Sequence, residues 1–232
     1  MDLSAKYISI YYINGQIQKY VPTYELNHPP FTNKPCALMK DKFVSLLNAT
    51  GRQGINSVIT YLEKVGFFEA PASINRHLSY EGGLVEHSLN VYRMAMMLRE
   101  QMILMKPDTA EQLTKESITI AALLHDVCKA NIYKQAKKWR KDEQNRWEQY
   151  DTYEADYSRF PLGHGEKSVI MLLRLGLQLT NDEVLAIRWH MGAWNLPFQS
   201  YEDKCNISEA SDHPLTAIIQ AADGLATHIM EK

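Results

Sequence analysis

The sequence sets a histidine and an aspartate side by side, His125-Asp126 in Ala-Ala-Leu-Leu-His-Asp-Val-Cys-Lys-Ala, at positions where helical spacing calls for core residues. An ionised Asp126 buried without a partner would cost several kcal/mol, so an opposite charge, a hydrogen-bond network or a metal ion must satisfy it; a metal is the reading preferred here. From Ser117 to Ala130, residues Ile118, Ala121, Ala122, His125 and Lys129 fall on one stripe. In Gly-Gly-Leu-Val-Glu-His-Ser-Leu-Asn-Val-Tyr, His87 is in line with Val91, Met94 and Leu98, so it too faces inward. Three further candidates lie downstream in or beside amphipathic helices: His164 in Pro-Leu-Gly-His-Gly-Glu-Lys-Ser, His190 in Ala-Ile-Arg-Trp-His-Met-Gly and Asp223 in Gln-Ala-Ala-Asp-Gly-Leu. Nitrogen and oxygen donors with no thiolate among them suit one or two divalent transition metals, Fe, Mn, Ni, Co or Zn.

The order His, His-Asp, His, His, Asp over separate helices resembles the HD superfamily of metal-dependent phosphohydrolases, from about Ala70 to Lys232. The strings Tyr-Glu-Gly-Gly-Leu before His87, His-Asp-Val-Cys-Lys-Ala, Gly-His-Gly-Glu-Lys-Ser and Ala-Asp around Asp223 look like those of bacterial HD-domain hydrolases. The resemblance implies an all-α helical bundle with short β-hairpin insertions. It further implies one metal on His87, His125, Asp126 and Asp223, and a second on His164, His190 and the other oxygen of Asp126. The implied activity is hydrolysis of a phosphomonoester or phosphodiester in a small phosphorylated substrate, a nucleotide or a nucleic acid. The resemblance extends to the HD domain of 3′ to 5′ exoribonucleases, in which an OB fold comes first; the N-terminal segment here is too short for that barrel. Two alternatives are an HD-fold di-iron oxygenase, similar to the inositol oxygenase family, and a non-catalytic nucleotide sensor.

Around these ligands stand candidates for substrate contact. Lys129 is similar to the lysine that follows His-Asp in many HD proteins and is expected to meet a phosphate. Arg76 and His77, in Ser-Ile-Asn-Arg-His-Leu-Ser, precede the first ligand helix, where Arg76 would meet an anion and His77 could donate a proton. Arg188 is a weaker substrate-binding candidate, and Glu166 could hold a histidine tautomer. Cys128 reads as a small buried hydrophobe.

The elements that must position these groups are mostly helices, expected at Leu38–Asn48, Ile55–Val65, Leu84–Met105, Ala110–Ala130, His164–Leu177, Asp182–Met191 and Pro214–Met230. Thr180-Asn-Asp-Glu183 has the form of a capping box, and Pro214 suits a first helical turn. Residues 1–35 read as a hairpin arm, two β-prone runs around Asn14-Gly15 followed by a proline-punctuated linker, with residues 36–232 forming the HD-type domain. A second hairpin or ordered loop is expected over residues 137–153, at the rim of the site, overlapping a basic and aromatic run at residues 134–147. Its mixture of Lys, Arg, Trp and Tyr could bind single-stranded nucleic acid, although a solvated hairpin with aromatics packed on the body is the simpler expectation.

A formal net charge of -2 argues against coating a polyanion by bulk electrostatics and leaves local binding open. Cys36, Cys128 and Cys205 are odd in number and unpatterned, as expected of reduced thiols in a cytoplasmic protein. No run of apolar residues reads as a membrane span, and oligomeric state is not legible.

Overall fold

The computed structural model describes residues 9–13, 16–20, 36–156, 158, 160, 162–192 and 200–232. By its contacts the chain divides into two compact units, residues 1–32 and 33–232. In the first, β1 (Ser9–Ile13) pairs antiparallel with β2 (Gln16–Tyr20), with Ile13 opposite Gln16. The expected Asn14-Gly15 turn and the linker lie outside the described residues.

The second unit is all-α apart from one hairpin. Its helices are α1 (Cys36–Ala49), α2 (Ile55–Lys64), α3 (Gly83–Met105), α4 (Lys115–Leu124), α5 (His164–Arg174), α6 (Asn181–Trp189), α7 (Tyr201–Ser211) and α8 (Pro214–Leu225). Helix α3 lies against α4 and α8, and α6 against α5 and α8, so the ends of several helices converge. Phe43, Phe67 and Phe68, with ring centroids 5.2 to 5.5 Å apart, fill the core beneath α1 and α2.

Local chemistry accounts for several boundaries. Thr180 and Glu183 form the reciprocal capping box that starts α6, and Glu183, fully buried, also accepts from Arg52 and Ser117. Helix α4 starts later and stops earlier than its apolar pattern suggests. Thr114 caps its first turn through the Ser117 N–H, and Asp126 leaves helical geometry at φ -112°, ψ 17°. The chain then continues as a 3₁₀ turn, Val127–Asn131. Nor is α4 one-sided: every residue from Ser117 to Leu124 is buried. Helix α7 escapes a periodicity search because it is polar nearly all round and buries only Ala210. Beyond α8 the chain widens into a π turn, Ala226–Met230, closed by the Glu231 N–H on the Ala226 carbonyl at 3.1 Å.

The hairpin pairs β3 (Tyr133–Lys141) with β4 (Trp147–Ala155) in a nine-pair antiparallel ladder. Asp142 closes its tip, its carboxylate accepting from the backbone N–H groups of Gln144 and Arg146. Contrary to the simpler expectation, the two tryptophans do not pack on the body: Trp139 is 63% and Trp147 66% exposed. No helix among the described residues is long and apolar enough to cross a membrane.

Candidate metal centre

His125 is the C-cap of α4 and His190 the C-cap of α6. Each places Nδ1 2.8 Å from the carbonyl oxygen three residues back, Ala122 and Ile187 respectively. A carbonyl can only accept, so each Nδ1 carries the proton and donates it, filling one of the acceptors left open at a helix end and aiming Nε2 into the interior. His87, from the first turns of α3, reaches the same interior. Its Nδ1 lies 3.1 Å from both carboxylate oxygens of Glu231, which the π turn delivers. The start of α3 depends on two glycines. Gly82 sits at φ 83°, and a Cβ on Gly83 would meet the Leu78 carbonyl oxygen at 2.0 Å.

All six expected ligands meet around Asp126. On its Oδ2 side lie His125 Nε2 at 3.3 Å and His87 Nε2 at 3.6 Å, with Asp223 Oδ1 3.3 Å from the latter. On its Oδ1 side lie His190 Nε2 at 3.6 Å and His164 Nε2 at 3.7 Å. Within each side the two histidines bring Nε2 atoms to 3.2 Å of one another. His164 reaches its partner because Gly165 lets α5 approach α6 closely: a Cβ there would meet the Arg188 carbonyl oxygen at 2.3 Å.

The residues fit divalent cations. Metal–nitrogen bonds of about 2.0 to 2.1 Å place ligands of one cation roughly 3 to 4 Å apart, the spacing seen on both sides of Asp126. The buried Oδ1 of Asp126 has no hydrogen-bond partner among the described residues, an orphaned acceptor that a cation would satisfy. Three carboxylates, Asp126, Asp223 and Glu231, converge with Lys129, whose Nζ is 2.6 Å from Asp126 Oδ2. The remaining negative charge calls for protons on the histidines or for metal.

The electrostatics follow from that imbalance. Burial alone would raise the Asp126 carboxyl, but Lys129 and His125 hold it well below the usual carboxylate range. Burial would strip Lys129 of its charge, but Asp126 holds its ammonium in the charged form. His87 is pushed up to about 10 because Asp223 and Glu231 outweigh its burial. His164, less flanked by carboxylates, is pushed down to about 4 by burial.

The other expected residues sit at varying distances from this centre. His77 packs against His87 with the rings tilted at 47° and 5.1 Å between centroids, and lies 3.8 Å from Glu231; burial, then the neighbouring His87, push it down to about 4. Neither of its ring nitrogens has a hydrogen-bond partner among the described residues. Its loop is stiffened by Ser73, whose Oγ donates to the His77 carbonyl and accepts from the Arg76 N–H. Arg76 itself is exposed on that loop. Arg188 pairs with Glu166 at 2.7 Å and stacks over Trp189 at 4.1 Å, beside a cavity of about 400 Å³ that none of the six ligand candidates lines. Glu166 therefore meets an arginine instead of a histidine. Cys128 is buried, donates to the His164 carbonyl, and is pushed up to about 12 by burial.

Sequence reasoning missed Glu231 and Asn90, whose Nδ2 donates to Glu231 Oε1 at 3.2 Å. Asn90 was readable, one turn along α3 from His87. Glu231 was not, because eight α-helical residues after Asp223 a side chain is turned roughly 80° away.

A helical body that gathers four histidines and a second aspartate around the carboxylate of Asp126 is a helical domain with a buried centre suited to divalent metals. The family model for the HD domain matches residues 84–228, more than half of the chain, and the chain belongs to the HD domain family. Over 89 residues it is 34% identical to dihydroneopterin 2′,3′-cyclic phosphate phosphodiesterase of Methanocaldococcus jannaschii, a match covering 38% of this chain and 32% of that protein. The chain thus matches about a third of that relative's length. No solved structure matches it significantly.

Proposed function

We propose that this protein is a metal-dependent phosphohydrolase that cleaves a phosphomonoester or phosphodiester in a nucleotide or nucleic acid. The observation that carries the reading is the division of Asp126, one oxygen toward the His87–His125 pair and the other toward the His164–His190 pair. His87, His125, Asp126 and Asp223 would hold one cation, and His164, His190 and Asp126 a second. Bound divalent cations polarise a phosphoryl oxygen and make water nucleophilic near neutral pH.

The chain's own groups supply the rest. The Lys129 ammonium stands beside the shared carboxylate, where it can donate to a phosphoryl oxygen. His77 presents its unpartnered ring edge at the border of the centre, where it can hydrogen-bond the leaving oxygen. Arg76, exposed on the same loop, would receive the remainder of an anionic substrate. Arg188, held by Glu166, is given no part. The cyclic phosphate in the relative's name makes nucleoside 2′,3′-cyclic phosphates the first compounds to assay.

The test is elemental analysis of anaerobically purified protein, followed by assays on bis(p-nitrophenyl) phosphate, nucleoside 2′,3′-cyclic phosphates and nucleoside monophosphates. Near two metals per chain with metal-restored hydrolysis is the expected result. No metal retained after reconstitution with Mn, Fe, Ni or Zn would sink the reading. Oxygen consumption without hydrolysis would favour the oxygenase, and tight binding of unchanged nucleotide would favour the sensor.

A further inference from the structure

Along the chain, the β3–β4 hairpin connects the Lys129 segment to the His164 helix. It starts two residues after the 3₁₀ turn that carries Lys129 and ends nine residues before His164. Its base is closed by the Asp156 N–H, which donates to the Ile132 carbonyl at 2.8 Å. Most of its residues beyond the base are exposed or half-buried on both faces, which is unusual for a ladder of nine pairs.

Register sorts its side chains. Trp139 is opposite Gln149 and Lys141 opposite Trp147, so both tryptophans lie diagonally on one face, with Lys137 and Lys141 beside them. Lys141 stands over the Trp147 ring at 5.6 Å. On the other face Arg140 stands over Tyr150 at 4.9 Å and pairs with Glu148 at 2.6 Å. Several acidic side chains are thus neutralised within the hairpin: Glu148 by Arg140, Asp142 by Arg146 at 2.9 Å, and Asp151 by Lys137 at a loose 3.9 Å. Lys138 and Lys141 have no carboxylate partner among the described residues.

We propose that the Trp139–Trp147 face of this hairpin is a docking platform for single-stranded nucleic acid, stacking bases on the two indoles and holding phosphate with Lys141, which has no carboxylate partner among the described residues. Two indoles exposed on one face, alternating with ammonium groups, match what a single strand offers: a flat apolar base and an anion at each step. A solvated edge needs charge and does not need tryptophan. From Tyr133 to Trp139 the strand rises roughly 20 Å, a span that several nucleotides bridge, so one strand can reach from the platform to the metal centre. This deepens the hydrolase reading and rests on it for the identity of the substrate; the platform itself is testable without turnover.

The test uses the full chain and fluorescein-labelled 20-nucleotide single strands, RNA and DNA, followed by anisotropy and by quenching of indole fluorescence. Wild type is expected to bind and to be quenched, and the exposed double variant Trp139→Ala/Trp147→Ala to keep its Tm while binding about tenfold or more weakly. Lys141→Ala is expected to lower the slope of log K against log salt by about 0.7. Hydrolysis of bis(p-nitrophenyl) phosphate should be unchanged in all these variants. Equal affinity in wild type and the double variant, or no binding by wild type, overturns the platform. A dimer that becomes monomeric in the double variant overturns it too, by assigning the face to a second copy. Binding lost in the double variant from a wild type that hydrolyses no phosphoester supports the platform and overturns the hydrolase reading.

Discussion

His125 and His190 are the same device built twice: each closes a helix, returns its Nδ1–H to the carbonyl three residues back at 2.8 Å, and presents Nε2 to one oxygen of Asp126. Their rings meet edge to face at 4.8 Å between centroids. The helix ends thus do two things with one side chain: a stranded carbonyl is satisfied, and the tautomer is fixed before any ligand arrives.

Because Asp126 faces both pairs, Asp126→Asn should affect both metals. We expect metal content to fall below one per chain and phosphoester hydrolysis to fall at least about a hundredfold, measured by elemental analysis and steady-state kinetics. Retention of two metals would contradict the shared carboxylate.

Glu231 steadies His87 from behind. Glu231→Gln is therefore expected to weaken metal binding about 10- to 100-fold by chelator competition while leaving the helical circular dichroism unchanged. An unaltered affinity would reduce Glu231 to a packing residue.

Gly165→Ala tests how one side of the centre is assembled. The added Cβ must push α5 from α6 against backbone at 2.3 Å, at a cost of about 1 to 3 kcal/mol in urea unfolding. It should remove the metal of the His164–His190 side and spare the one at His87, His125 and Asp223, so metal content falling from two to one is the distinguishing result.

Lys129→Met should separate chemistry from assembly. Metal content is expected to stay near two, since bound cations neutralise Asp126, while kcat falls about 10- to 100-fold. In the metal-free protein the same substitution leaves a buried carboxylate without its ammonium, so the variant's Tm after chelation should drop further than that of wild type. Equal drops would show that the ion pair contributes nothing to the metal-free fold.

The six candidate ligands could be picked out of the sequence because His125-Asp126 and Asp223 interrupt apolar helical runs and the order of the histidines resembles the HD pattern, and the helices because their apolar periodicity is strong. What could not be read had physical causes. The break after His125 leaves no trace because Val127 and Cys128 resume the apolar pattern at helical spacing. Helix α7 has no apolar face to betray it. Arg188, two residues before His190, points to a different side of its helix and reads as the weaker substrate candidate, and Glu166 on the neighbouring helix takes its charge. The exposure of Trp139 and Trp147 runs against the usual behaviour of tryptophan, so composition pointed the other way.

The π turn at Ala226–Met230 acts as a one-residue phase correction. A single extra residue in the helical winding puts Glu231 where the seventh residue after Asp223 would stand in an α-helix, within about 20° of the same side, so both carboxylates flank one imidazole. The reading frame of the last helix, as much as the identity of its side chains, is thus part of the site. Winding Ala226–Met230 as a regular α-helix with no residue removed would turn Glu231 roughly 80° from the side of Asp223, whereas deleting one residue would regularise the helix and leave the carboxylate in place.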